Sequence, residues 1–194
     1  MKKMTFTFAV VLFVIYVPLP LVSQSLDWQI QFLRGRNRES TPINRAIRME
    51  NGDAFVLVIQ ADSDCHCCII CYDSEQQIDV LYNQAVKGGS EIHFDPVWLA
   101  EPSGTETLYV IMSIARHEEL EKLIKLNENS RSRQTNGNLY REVVRLQNAA
   151  SGLGEPAAAI ISSGGTSRGP SDGQGFATKF SGKEAYVRAI TIRH

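Results

Sequence analysis

All four cysteines of the chain and one of its four histidines fall within the seven residues Cys65-His66-Cys67-Cys68-Ile69-Ile70-Cys71. Four thiols and an imidazole are chemically sufficient for zinc or copper, or for thiol redox work. Cys65, His66, Cys67, Cys68 and Cys71 are therefore the candidate metal ligands. Their spacing differs from that of a zinc ribbon or knuckle, which uses two separated pairs. A β-strand through them sends Cys65, Cys67 and Cys71 to one face and His66 and Cys68 to the other. Same-face neighbours on a strand stand about 6.5–7 Å apart, so only a bend gathers three of them round one ion. The same separation lies at the upper limit for a disulfide, and an adjacent Cys pair is strained. The remaining reading treats Cys as a small apolar residue filling a buried strand. Strand geometry favours this third reading over the metal and disulfide readings.

Other chemistry-bearing residues are scattered. His66, His93, His117 and His194 stand far apart in sequence, Gly-x-Ser-x-Gly is absent, and Gly164-Gly165 lacks the flanking strand and lysine of a phosphate loop. A Cys–His hydrolase built from Cys65 and His93, or a nucleophilic Ser103, has no motif behind it. Asp62, Asp64 and Asp73 bracket the cysteine run without a calcium-loop spacing and read as turn residues. Tyr82, Trp98 and Tyr109 read as core or sheet-face aromatics, because no basic residues interleave them as a nucleic-acid surface requires. No catalytic residue and no cofactor is expected.

The elements that would carry these residues are mostly strands. Trp28 to Leu33 and Gln77 to Tyr82 alternate apolar with polar, the period of a half-buried strand. Ala54 to Ala61, Cys65 to Tyr72 and Thr107 to Ile114 are apolar runs between turn residues, the pattern of core strands. Glu91 to Phe94 and Ala185 to Ile192 complete the set. Short strands without intervening helices imply an antiparallel β-sandwich or barrel. Between the last two strands the period changes. His117 to Leu126 spaces Leu120, Leu123 and Ile124 as a helix, with Glu118/Lys122 and Glu121/Lys125 as i,i+4 pairs. Asn127 to Asn136 reads as a polar separator. Leu139 to Ala150 reads as a second helix with Leu139, Val143 and Leu146 on one stripe and Gly152 as its C-cap. Ser162 to Gly175, rich in Gly and Ser, reads as a flexible loop.

Across 194 residues, 43% are hydrophobic, 21% are charged, and the net charge is −1. That composition excludes a multi-span membrane protein and a wholly disordered chain, and it lacks the cationic excess of a nucleic-acid binder. The first residues have the grammar of an export signal: basic Met1-Lys2-Lys3, an uncharged apolar run from Met4 to Val17, Pro18 and Pro20, then small Ser23. Cleavage is expected after Ser23, with Ser25 as the alternative site. An uncleaved signal anchor is the alternative to cleavage and the one expected route to a membrane. No Cys follows the run directly, which argues against lipidation there.

The order of segments resembles a bacterial domain family of unknown function, found in exported proteins and often C-terminal to caspase-like peptidase or protein-kinase domains. The resemblance spans about residues 50 to 116. It rests on the strand Ala54–Ala61, Cys65-His66 opening the next strand, Asp73-Ser74-Glu75 in a turn, Leu81-Tyr82-Asn83, and Pro102-Ser103-Gly104-Thr105-Glu106 before a core strand. Residues 186–192 supply a closing strand. The chain departs from the pattern in lacking a proline before Asn83 and in carrying Gln76 where a turn glycine is usual. The resemblance implies a β-sandwich-like accessory module and assigns aliphatic or aromatic packing positions to Cys67 and Cys68. It transfers no catalytic residue.

The expectation is a mainly β protein: a signal peptide over 1–23, an antiparallel β-sandwich-like domain over 24–116 plus 183–194, and an inserted helical and Gly/Ser-rich segment over 117–182. Its expected role is that of an exported, non-catalytic binding or envelope-associated domain. The expected partner is another envelope or periplasmic protein, met through Glu101 to Glu106 or the 127–182 excursion, and not a nucleic acid. The alternative is a metal-binding or thiol-redox protein using the Cys65–Cys71 cluster.

Overall fold

A computed structural model describes residues 25–35, 37–151, 159–163 and 175–194, with the backbone alone at 151, 159–163 and 175. The expected leader, the Gly152 cap and residues 164–174 of the Gly/Ser-rich stretch lie outside the described residues. The strands in chain order are β1 (Leu26–Arg34), β2 (Glu39–Thr41), β3 (Ile47–Arg48), β4 (Ala54–Ala61), β5 (Cys65–Tyr72), β6 (Ile78–Val86), β7 (Glu91–His93), β8 (Val97–Trp98) and β9 (Thr105–Ser113). Helices α1 (Glu118–Ser130) and α2 (Arg133–Ser151) follow, then β10 (Ala159–Ser163), β11 (Gly175–Lys183) and β12 (Ala185–Arg193).

The strands form two sheets. The first runs β10-β11-β1-β4-β7, with β2 also on β1 and β8 also on β4; the second runs β3-β12-β9-β5-β6. The pairings are antiparallel except for β12 with β3. Trp28, Phe32, Leu57 and Ile59 of the first sheet face Cys67, Ile69, Leu108 and Val110 of the second, and this is the sandwich core. Trp28 stacks on Phe180 at 4.4 Å, which ties β1 to β11 through their side chains as well as their backbones. The fold is mainly β and β-sandwich-like, as the strand pattern implies.

The helices form a third layer. Leu120, Ile124, Leu139, Val143 and Leu146, spaced for one helical face, pack on Cys68, Ile70, Tyr109 and Ile111 of the second sheet. That is why β5 and β9 are apolar on both faces: each is covered by a sheet on one side and by helices on the other. The expected i,i+4 pairs are replaced. Lys122 lies 3.5 Å from Glu119, and Glu121 turns toward His66.

Three expectations about the excursion change. The polar separator over 127–136 is largely helical, because its asparagines anchor to the sheet. Buried Asn127 donates to the Ile78 carbonyl at 3.3 Å, and buried Asn136 donates to the Gln77 side-chain oxygen at 2.9 Å. Between the helices, the Ser132 hydroxyl oxygen accepts from the Thr135 N–H and Thr135 Oγ1 accepts from the Ser132 N–H, a reciprocal cap. Ser162, Ser163 and Gly175, expected in a flexible loop, belong to the paired strands β10 and β11. With β11 also pairing β1, residues 175–182 belong to the sandwich instead of to an insertion ending at 182.

Candidate functional site

The cysteine run forms β5, next to the edge strand of the second sheet. Cys65, Cys67 and Cys71 face the sandwich interior and Cys68 faces the helices, so the strand divides the thiols as its period dictates. All four are free thiols. Burial is the main force on each. It pushes Cys65 up to about 11 and Cys68 up to about 12, and raises Cys67 and Cys71 well above the ordinary thiol range. A thiol so disfavoured as thiolate is a poor nucleophile and a poor metal ligand at neutral pH. Among the described residues, no three His, Cys, Asp or Glu side chains come together in a way that could hold a metal ion.

His66 lies on the helix side, where Arg116 Nε donates to its Nε2 at 3.1 Å. Burial and the Arg116 charge lower its pKa, against an opposing pull from Glu121 at 3.8 Å. It is a neutral imidazole clamped under the α1 entry. His93 is on β7 of the other sheet and pairs with Glu91 at 2.6 Å, so it is not a base for Cys65. The three aspartates serve turns and the surface: Asp64 accepts from the Gly88 N–H, Asp73 from the N–H groups of Glu75 and Gln77, and Asp62 lies 3.7 Å from Lys179. Gly88 itself is required by close approach, since a Cβ there would stand 2.7 Å from the Ser63 Cα.

One polar chain was not legible in the sequence. Cys71 Sγ donates to Glu106 at 3.7 Å, the other Glu106 oxygen lies 3.3 Å from His194 Nε2, His194 Nδ1 is 2.6 Å from Asn51 Oδ1, and Asn51 donates to Ser103 at 2.8 Å. Nucleophile activation needs an imidazole against the thiol or hydroxyl. Here a carboxylate stands between Cys71 and His194, and an amide stands between His194 and Ser103. Together with the paired backbones of Gly104 and His194, the chain ties the segment after Pro102 to the end of β12. Its reach, from residue 51 to residue 194, is why no local motif announces it.

An apolar groove lies at the flank where β6 ends one sheet and β7 and β8 end the other. β6 carries a bulge: Ile69 pairs with Tyr82 and Ile70 with Val80, which leaves Leu81 without a partner. The extra residue switches the faces of the strand. Ile78 and Val80 pack toward the helices, whereas Tyr82 and Val86 pack into the sandwich. Tyr82 meets Phe94 edge-on at 5.1 Å and closes the floor of a groove of about 370 Å³. Leu81, Ile92, Pro96 and Val97 line its walls and Asp95 its rim. Leu81 is 37% exposed, and Trp98, expected to be packed on a sheet, is 63% exposed just beyond Val97. β8 is too short to bring a covering layer over the indole.

The fold and flank define a class, a β-sandwich with a helical cover and an open flank. In comparisons with known proteins, no family model, no curated protein and no solved structure matches the chain.

Proposed function

We propose that this chain is an exported, non-catalytic accessory domain of the periplasm or cell envelope. Its open flank takes up an extended segment of a partner protein in the same compartment. The observation that carries the reading is the groove between β6 and β7–β8, with Leu81 and Trp98 presented to solvent beside two sheet edges. An open edge offers unpaired backbone donors and acceptors for strand addition, and neighbouring apolar pockets select the side chains of the added strand. Asp95 at the rim, with no ion-pair partner among the described residues, suits a segment carrying Lys or Arg. The order of segments over residues 50–116, which in sequence resembles a bacterial domain family of unknown function, favours the same role, and the leader grammar of residues 1–23 favours the compartment.

A photo-crosslinking residue at position 81 or 98 tests the binding in intact cell envelopes. A discrete crosslinked partner is expected from either position. In the otherwise unmodified chain, Leu81→Lys or Trp98→Ser should weaken capture of that partner by about tenfold or more, the usual weight of an aromatic anchor. Capture indifferent to both substitutions would overturn the reading. N-terminal sequencing of the exported protein checks the expected cleavage after Ser23.

A further inference from the structure

A second cleft lies across the molecule, between the end of β1, the segment 42–46 and the paired ends of β3 and β12. Its volume is about 580 Å³, and Arg34, Thr41, Arg45, Ile47, Arg48 and Arg193 line it. Four arginines thus line one cleft of a chain whose net charge is −1, and no Asp or Glu is among its lining residues. Arg34 shares its charge with Asp53 at 2.9 Å. Among the described residues, the side chains of Arg45, Arg48 and Arg193 make no hydrogen bond or ion pair.

The arrangement brings like charges together without a ligand. Arg193 pairs in register with Arg48 across the parallel β12–β3 ladder, so two like charges stand on adjacent strands about 4.8 Å apart at their backbones. The backbone holds them there, because Met49 N–H donates to the Arg193 carbonyl at 2.9 Å. The wall carrying Arg45 is also built in. Ile43 is buried in the core, and Arg188 donates to the Ile43 carbonyl at 3.0 Å. The backbone positions of Arg45, Arg48 and Arg193 are therefore set before any ligand arrives.

We propose that this arginine cleft is a binding site for a phosphate group carrying two or more negative charges, a phosphomonoester or a diphosphate. Guanidinium forks match phosphate oxygens bidentately, and the Thr41 hydroxyl adds a neutral donor. Three uncompensated arginines fit an anion of about two or three charges better than the single charge of a phosphodiester. The volume is that of a small-ligand site. The assignment does not depend on the flank groove, which lies on other elements.

Calorimetric titration of the full chain with pyrophosphate tests the site, beside citrate as a carboxylate of similar charge. Phosphatidylcholine vesicles with and without phosphatidic acid separate a headgroup phosphate from a soluble one. One-site binding of pyrophosphate is expected, or binding to the phosphatidic acid vesicles, weakening as salt rises. Arg48→Gln with Arg193→Gln should reduce it by about tenfold or more, while Lys125→Gln on α1 leaves it unchanged. Arg45→Gln alone, in a loop, should also weaken binding and serves if the double variant fails to fold. Without ligand at low salt, Arg48→Gln should raise the melting temperature by removing the like-charge pair. Three results would overturn the assignment: no binding to either phosphate source, binding undiminished in the arginine variants, or tighter binding of citrate than of pyrophosphate.

Discussion

Cys67 has no exposed surface and stands between Cys65 and Ile69 on the interior face of β5. Its role is to fill space, so Cys67→Ala should destabilise the fold by about 1 kcal/mol, the cost of one buried heavy atom and its cavity. Urea unfolding would measure that loss. The same burial predicts that the native protein reacts slowly with a thiol reagent at neutral pH and yields four fast-reacting thiols once unfolded. A thiol that reacts rapidly in the native state would revive the redox reading. His66 and His117 give a second prediction. Burial is the first cause of a lowered pKa at both, followed by the Arg116 charge at His66, and at His117 by an opposing pull from Glu142 and a lowering by Arg145. Both groups bind protons more readily unfolded than folded. Their contribution to stability is therefore full above the ordinary value of 6.5 and is lost as pH falls from there through the lowered folded values. Melting temperatures across this range should fall toward acid, and less steeply in His66→Gln.

At the scale of elements, the β5–β6 turn shows how a non-glycine residue is held in a left-handed position. Gln76 occupies φ +64°, the left-handed region that favours glycine, after a turn closed by its own N–H donating to the Asp73 carbonyl. Gln76→Gly should stabilise the chain by about 0.5–1 kcal/mol, the strain relieved less the added freedom of the unfolded state. Asn136 also reaches the residue 76 carbonyl, but that backbone contact survives the substitution. A rise in the urea midpoint at constant slope would be the supporting result. The spans of β4 and β5 were legible to the residue because each is an apolar run bounded by turn residues. β2, β3 and β8 were not, since two or three residues carry no period. The bulge at Leu81 was hidden as well, because Val80 and Tyr82 read as same-face neighbours in any regular strand.

Over the whole molecule, the second sheet belongs to two cores at once. Removing a helix contact should therefore weaken the sandwich too, and unfolding should remain a single transition. Leu139, fully buried against the second sheet, is the test: Leu139→Ala should cost about 2–5 kcal/mol in one cooperative step. A separate early helix transition, seen by circular dichroism before the loss of tryptophan fluorescence from Trp28, would contradict that coupling. One face of each helix serves as a packing layer over the second sheet.

The sequence alone determined the local facts: which runs are strands, which stripes are helical, and that a strand divides Cys65, Cys67 and Cys71 from Cys68. These follow from side-chain periods of 2 and 3.6, which any short window contains. Tertiary structure alone decided that Phe176 bonds to Ser40 from 136 residues away, that the helices cover the second sheet, and that Glu106 joins Cys71 to His194. It also decided that four separated arginines line one cleft. Such encounters depend on strand order and register, which are set by burying both sheets together, and no local pattern encodes them.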